Sequence, residues 1–242
     1  VMMALAMTMS DKPMAVNMSF QREYAERYEW MKQQFTDWAF NFTTSMLYYE
    51  DYDHLNDETR TQIFYGGSSS GKSFFLAQRT VKDVLQGHNY LIVRNVAGTV
   101  KRSVYNQIVK TIGDFGLKDE FIISKSEMVI TCVQNDKQIL FGGLDDPEKL
   151  KSVTPINGVI TDIWIEEATE SAYEAYKQLT KRLRGESGNI KKRMIFSFNP
   201  ILQTHWIYRE FFGNWVDGKN CYRDENLLIL KTTYKDNKYL TD

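Results

Sequence analysis

The 242 residues include two cysteines and three histidines, and neither set has the spacing of a metal site. Cys132 and Cys221 stand far apart and read as reduced, partly buried thiols of a cytosolic protein. His54, His88 and His205 form no ligand pattern and are assigned no chemistry. No stretch approaches the roughly 20 apolar residues that span a bilayer, so a membrane is not an expected partner. The Met-rich start has neither the basic beginning nor the clear cleavage site of a secretory signal. Residues 1–15 are expected to be an unstructured leader or the trace of an engineered start. The formal net charge of −1 excludes a polycation, so any nucleic-acid contact must come from local basic patches. Internal repeats and low-complexity tracts are absent.

What is present suits one large α/β domain, alone or with a helical appendage. The apolar share is 43%, and 14 Tyr, 14 Phe and 5 Trp can fill a sizeable core. Phe20, Tyr24, Tyr28, Met31, Phe35, Trp38 and Phe42 recur at helical steps. They predict a helical segment over 16–59 that packs on a core domain over 60–242. An acidic, turn-rich joint around Glu50–Glu58 ends that segment.

Beyond the joint, strands and helices alternate. Strands are predicted at Gln62–Tyr65, Tyr90–Arg94, Val159–Ile165, Arg193–Phe198 and Leu227–Thr232. Helices are predicted at Ser73–Gln86, Val100–Phe115 and Ser171–Leu183, and Met128–Val133 with Gln138–Phe141 form a candidate hairpin. Continuous apolar strands alternating with helices predict an α/β fold, a mostly parallel central sheet with helices on both faces.

Gly66-Gly67-Ser68-Ser69-Ser70-Gly71-Lys72-Ser73 fits the phosphate-loop pattern between a strand and a helix. Small residues let the backbone curl so that successive N–H groups face phosphate oxygens. The helix behind presents its positive end to the same anion. Lys72 supplies a point charge for the β- and γ-phosphates of ATP, and the Ser73 hydroxyl can coordinate Mg²⁺.

Hydrolysis needs carboxylates at a neighbouring strand end. The apolar run ending Ile163-Trp164-Ile165-Glu166-Glu167 delivers two. Glu166 is the candidate for the Mg²⁺ shell and Glu167 for polarising the attacking water. Asp-Glu is the commoner pair, so Glu166 is a departure that implies a slightly shifted metal shell. Ser197-Phe198-Asn199-Pro200 closes a further strand, where polar side chains can sense the γ-phosphate and Pro200 fixes the exit.

These pieces, in this order, resemble the ATPase half of a large terminase subunit, the DNA-packaging motor of tailed bacteriophages. The phosphate loop, Leu91-Ile92-Val93-Arg94, Ile163–Ala168, and Ser197–Pro200 with His205-Trp206 carry the resemblance. Phe141–Asp146 leading to Lys149–Ser152, and the ending Thr232–Asn237, add to it. The resemblance implies a P-loop NTPase fold of the additional-strand type. It implies a homo-oligomeric ring on the portal of a procapsid, a monomer in isolation, that pumps double-stranded DNA with a small terminase subunit as partner. It places the protein in the cytoplasm of an infected bacterium and makes Ser197, Asn199 and Pro200 the coupling motif. The family's C-terminal nuclease is not expected in this chain, so ATPase activity without DNA cleavage is the expectation.

Less is fixed elsewhere. Candidates for a positive group on the γ-phosphate are Arg94, at a strand's C-terminal end, and Arg102, Lys149, Lys151, Arg182 and Arg184. Gln62, with Tyr48, Tyr49 or Tyr52, is a candidate for adenine contact. Lys191-Lys192-Arg193 is a basic run that could meet DNA phosphates. Competing readings are a helicase-like ATPase, a small-molecule or nucleotide kinase, and a nucleotide-gated assembly module. The absence of a second helicase core weighs against the first, and the paired carboxylates, suited to water activation, weigh against the second.

Overall fold

The computed structural model describes residues 54–237. The expected leader, nearly all of the helical segment, and Tyr48, Tyr49 and Tyr52 lie outside the described residues.

The chain alternates as the apolar runs require. Strand β1 (Thr61–Gly66) leads through the glycine-serine loop into α1 (Lys72–Leu85), and β2 is Tyr90–Arg94. A helical arm follows as α2 (Ala97–Val100), a π-turn (Lys101–Tyr105) and α3 (Asn106–Asp114). Next come β3 (Phe121–Ser124), β4 (Val129–Cys132), β5 (Gln138–Gly143) and α4 (Pro147–Ser152). The acidic strand is β6 (Asp162–Glu166), followed by α5 (Tyr173–Thr180) and β7 (Arg193–Phe198). The last elements are α6 (Trp206–Phe211), β8 (Cys221–Arg223) and β9 (Leu227–Thr232).

Among the described residues, nine strands form one sheet in the order β3-β4-β5-β2-β6-β7-β1-β9-β8. The six from β5 to β9 in that order run parallel, and the β3–β4, β4–β5 and β8–β9 pairs at the edges are antiparallel. Every residue of β6 and β7 is buried, because helices cover both faces of a parallel sheet. On one face Phe64, Ile92, Trp164 and Ile195 pack with Phe75 and Val84 of α1 and Ile108 and Ile112 of α3. On the other, Ile63, Leu91, Ile163, Phe196 and Ile229 pack with Leu179 of α5 and Ile207 of α6.

One feature of this order positions the site. Strand β7 lies between β1 and β6, with Ile63 opposite Phe196 on one side and Ile165 opposite Phe196 on the other. It is the extra strand of the additional-strand P-loop NTPase fold, and it puts three chain ends side by side at one sheet edge: the phosphate loop, Phe198–Pro200 and Glu166-Glu167.

The structure departs from the predicted elements where side chains capture backbone. The acidic strand starts at Asp162 rather than Val159, because the Asn89 amide takes the carbonyls of Asn157 (2.8 Å) and Val159 (3.1 Å). The helix expected over 100–115 starts at Ala97, whose N–H donates to the Asp145 carboxylate at 3.0 Å, and is interrupted by the π-turn.

Of the basic run Lys191-Lys192-Arg193, which could meet DNA phosphates or serve only as a polar strand entry, Arg193 is turned inward. Arg193 is 2% exposed. It donates to Asp162 (2.5 Å), Asp83 (2.6 Å) and the Asp57 carbonyl (3.0 Å) at the sheet edge opposite the phosphate loop. A buried guanidinium requires such partners, which tie β7, β6 and α1 together. Lys191 pairs with Glu58 at 3.1 Å and Lys192 donates to the Gly185 carbonyl.

Candidate functional site

The site begins with the tight turn after β1. Gly66 pairs with Thr232 of β9 so closely that a Cβ on Gly66 would lie 1.6 Å from the Thr232 carbonyl oxygen. Glycine is therefore required there on steric grounds. Ser69 and Gly71 both take left-handed backbone, at φ 64° and 88°. With those residues the loop reverses and feeds α1, which starts at Lys72 with no side-chain cap. Its first N–H groups are thus left for an anion.

Lys72 is 8% exposed and turns back over its own loop. Its ammonium donates to the carbonyls of Gly66 (2.8 Å) and Gly67 (2.9 Å) and to Ser70 Oγ (3.2 Å). A fourth oxygen, Asn199 Oδ1, lies at 3.5 Å. Burial pushes its basicity down from the ordinary lysine value, and the charge of Glu167 opposes that shift. The ammonium thus senses both the end of β7 and the second carboxylate.

Glu166 is 7% exposed at the end of β6. Burial raises its carboxyl above the usual range; Arg94 pulls the other way, and Glu167 adds to the rise. Arg94 Nε lies 3.4 Å from Glu166 Oε2, and Arg94 Nη2 lies 3.8 Å from Glu170. Ser103 of the π-turn donates to Glu166 Oε2 at 3.4 Å. Glu167 has left-handed backbone, φ 51°, as β6 breaks into a short turn. Such a conformation is uncommon for glutamate and gathers at functional sites.

Ser197 sits opposite Glu166 in the β6–β7 register, and its hydroxyl accepts from Trp164 Nε1 at 2.8 Å. It is buried, whereas Asn199 and Pro200 are exposed beyond the strand. Asn199 is thus the member of that motif that reaches the lysine.

Other sequence candidates are placed elsewhere. Gln62 is fully buried, four residues upstream of Gly66 and so about 13 Å along the strand. Its amide donates to the carbonyls of Thr59 (2.9 Å) and Asp57 (3.1 Å) and accepts from Arg79 (2.5 Å), which leaves it no hydrogen-bonding group facing the loop. Arg182 is bound to the carbonyls of Leu150 and Val153. Arg102, Lys149, Lys151 and Arg184 are exposed. Sequence reasoning missed Ser103, Glu170 and Asn237, whose amide donates to the Ser69 carbonyl at 2.8 Å. Only the last lay in a segment whose pattern had drawn notice.

Among the described residues no three His, Cys, Asp or Glu side chains converge as a metal site. The residues that could offer Mg²⁺ a hard oxygen are Ser73, through its hydroxyl, and Glu166, through its carboxylate; Mg²⁺ commonly takes few protein ligands and keeps several waters. A cavity of about 350 Å³ opens between α4, β5 and the β3–β4 turn, away from the loop. No helix among the described residues is long and apolar enough to cross a membrane.

A sequence profile of the phage terminase large subunit family matches residues 58–242. The chain belongs to that family. This terminase chain is 33% identical to the PBSX phage terminase large subunit of Bacillus subtilis (strain 168) over 193 residues, 79% of the chain and 43% of that protein. It is 25% identical to the terminase large subunit of Bacillus phage SPP1 over 184 residues, 74% of the chain and 42% of that protein. The terminase chain spans less than half the length of either. Its fold matches the large terminase of a thermophilic bacteriophage with a TM-score of 0.61 at 17% identity, covering 83% of this chain and 48% of that one. That protein has also been solved with ATP-γ-S and with ADP. The N-terminal domain of the DNA packaging ATPase from bacteriophage phi29 matches with a TM-score of 0.59 at 15% identity, covering 82% of this chain and 97% of that domain.

Proposed function

We propose that this chain is the ATP-hydrolysing motor domain of a phage DNA-packaging terminase, acting in the cytoplasm of the infected host. The observation that carries the reading is the approach of Asn199 to Lys72, 3.5 Å, across the boundary between β7 and β1. It joins the phosphate-binding lysine to a strand end that can move when the lysine's partners change.

In this reading the loop N–H groups and Lys72 bind the β- and γ-phosphates, Lys72 giving up its loop carbonyls for phosphate oxygens. Glu167 orients a water and polarises it toward the γ-phosphorus. The new O–P bond forms as the bond from the γ-phosphorus to the β–γ bridging oxygen breaks, the water's proton passes to Glu167 and on to the departing phosphate or solvent, and ADP and phosphate leave. Ser73 and Glu166 would hold Mg²⁺, which supplies charge neutralisation to the phosphate oxygens when bound. Asn199 reports the change at Lys72 to β7 and thence to duplex DNA. The partners that follow are double-stranded DNA, the portal of a procapsid, a small terminase subunit and further copies of the chain in a ring. The thermophilic phage terminase that binds ATP-γ-S and ADP supports the nucleotide, and the phi29 packaging ATPase supports the task.

The test is steady-state ATP hydrolysis across protein concentration, wild type against Lys72→Ala, with and without linear duplex DNA. Turnover that vanishes in the variant and rises with concentration or DNA supports the motor. ATP binding without turnover under every condition returns the chain to a nucleotide-gated assembly module.

A further inference from the structure

We infer that residues 232–237, the segment leaving β9, form a built wall of the phosphate loop and that Asn237 is a positioning residue for nucleotide binding. The inference rests on the ATP reading above and deepens it.

The loop has two flanks, because β1 has two neighbours. On the β7 flank Asn199 meets Lys72. On the β9 flank Thr232 lies against Gly66, its carbonyl filling the space that any side chain there would need. The chain then closes a short turn, Tyr234–Asp236. Asp236 Oδ2 accepts from the Thr233 N–H (2.6 Å) and hydroxyl (2.9 Å), and Thr233 Oγ1 accepts from the Lys235 N–H (3.3 Å). This reciprocal cap fixes where the next residue goes. That residue is Asn237, whose Nδ2 donates to the Ser69 carbonyl at 2.8 Å.

The bond acts on the residue that bends the loop. Ser69 holds left-handed backbone, φ 64°, which a serine adopts only when its surroundings enforce it. The carbonyl of Ser69 and the N–H of Ser70 belong to one planar trans peptide and point in opposite directions. Pinning the carbonyl outward on Asn237 therefore aims the Ser70 N–H to the other side of that peptide. A loop that binds phosphate through its N–H groups needs that orientation set before the ligand arrives. Asn237 supplies it from 168 positions away in sequence.

The test uses the full chain and measures equilibrium binding of ATP and ADP, kcat against KM, and amide exchange across residues 69–71. Asn237→Ala should weaken both nucleotides roughly three- to tenfold, the scale of one lost hydrogen bond, with kcat kept. Asn237→Asp should weaken them more, since it sets a carboxylate oxygen against the Ser69 carbonyl oxygen where the amide donor stood. Asp236→Asn should follow Asn237→Ala, through loss of the cap. Exchange at residues 69–71 should quicken in all three, with unchanged melting temperature. Wild-type affinity and exchange in both Asn237 variants would overturn the inference while Lys72→Ala still loses nucleotide. If Lys72→Ala also binds as wild type does, the ATP reading itself fails.

Discussion

The guanidinium of Arg94 lies 3.4 Å from the carboxylate of Glu166 in the same chain. An arginine at the end of β2 is well placed to reach a phosphate, yet here it is engaged with its own acidic strand. Arg94 is therefore expected to act in cis, holding Glu166 ionised and oriented within a buried site. Arg94→Gln should cut turnover about tenfold, ~1.4 kcal/mol in the barrier, with ATP affinity little changed. Mixing Arg94→Gln with Lys72→Ala checks the assignment. Two chains that complement each other would make Arg94 a group donated to a neighbour; no recovery on mixing is expected.

Asn199 offers a different separation. Its carbonyl oxygen is one of four acceptors around the Lys72 ammonium. Asn199→Ala removes the weakest of the four, so ATP affinity should stay within about threefold. Turnover and its stimulation by duplex DNA should fall by more than tenfold if this contact couples the strand to hydrolysis. Asn199→Asp should instead weaken ATP itself, because a carboxylate would hold the lysine against the phosphates. Isothermal titration and a turnover assay on the two variants separate these effects.

Local pattern made some of this legible and long-range partnership hid the rest. The bounds of β2, β7 and β9 were readable because strands buried on both faces are unbroken apolar runs. The phosphate loop was readable because its geometry demands small residues within eight positions. That β7 lies between β1 and β6 is not written in any local run; it came only through family resemblance. The burial of Arg193 was hidden because nothing near it in sequence reveals Asp83 and Asp162 as its partners. The partner of Gln62 is hidden in the same way, since Arg79 reaches it from the next helix. The edge strands β3 and β8 were missed because they are only four and three residues long and partly exposed.

Gly66 should tolerate no side chain. Gly66→Ala forces a methyl into the Thr232 carbonyl, and β1 and β9 must part to relieve it. A cost of about 3 kcal/mol is expected, a fall of roughly 6–12 °C in melting temperature for a domain of this size. Gly67→Ala is the control, for a Cβ there meets nothing within 4 Å. Differential scanning fluorimetry on the pair checks the contrast, and equal melting temperatures would remove the steric reading.

The buried arginine at the far sheet edge should govern acid stability. Burial alone would raise the carboxyls of Asp83 and Asp162, but Arg193, joined by Lys82, Arg79 and His88 at Asp83 and by His88 at Asp162, outweighs it and both sit below the usual value. Asp57 is held at about 2: burial raises it, but the hydrogen bonds from His54 and Thr59 and the charge of Arg223 together outweigh that rise. A carboxyl depressed on folding stabilises the native state above its unfolded value, near pH 4. That stabilisation is lost as pH falls through the folded value. The melting temperature should thus hold from pH 7 to about 4.5 and drop between about pH 4 and 2. Arg193→Met leaves Asp83 and Asp162 buried without that partner and should cost on the order of 3–5 kcal/mol at neutral pH. With burial then dominant, the two carboxyls rise, and the fall in melting temperature should begin at a higher pH than in the wild type. A pH series of thermal melts on both proteins tests the sign. An unshifted acid transition in Arg193→Met would mean that the charge at this edge serves packing and not the ionisation of its neighbours.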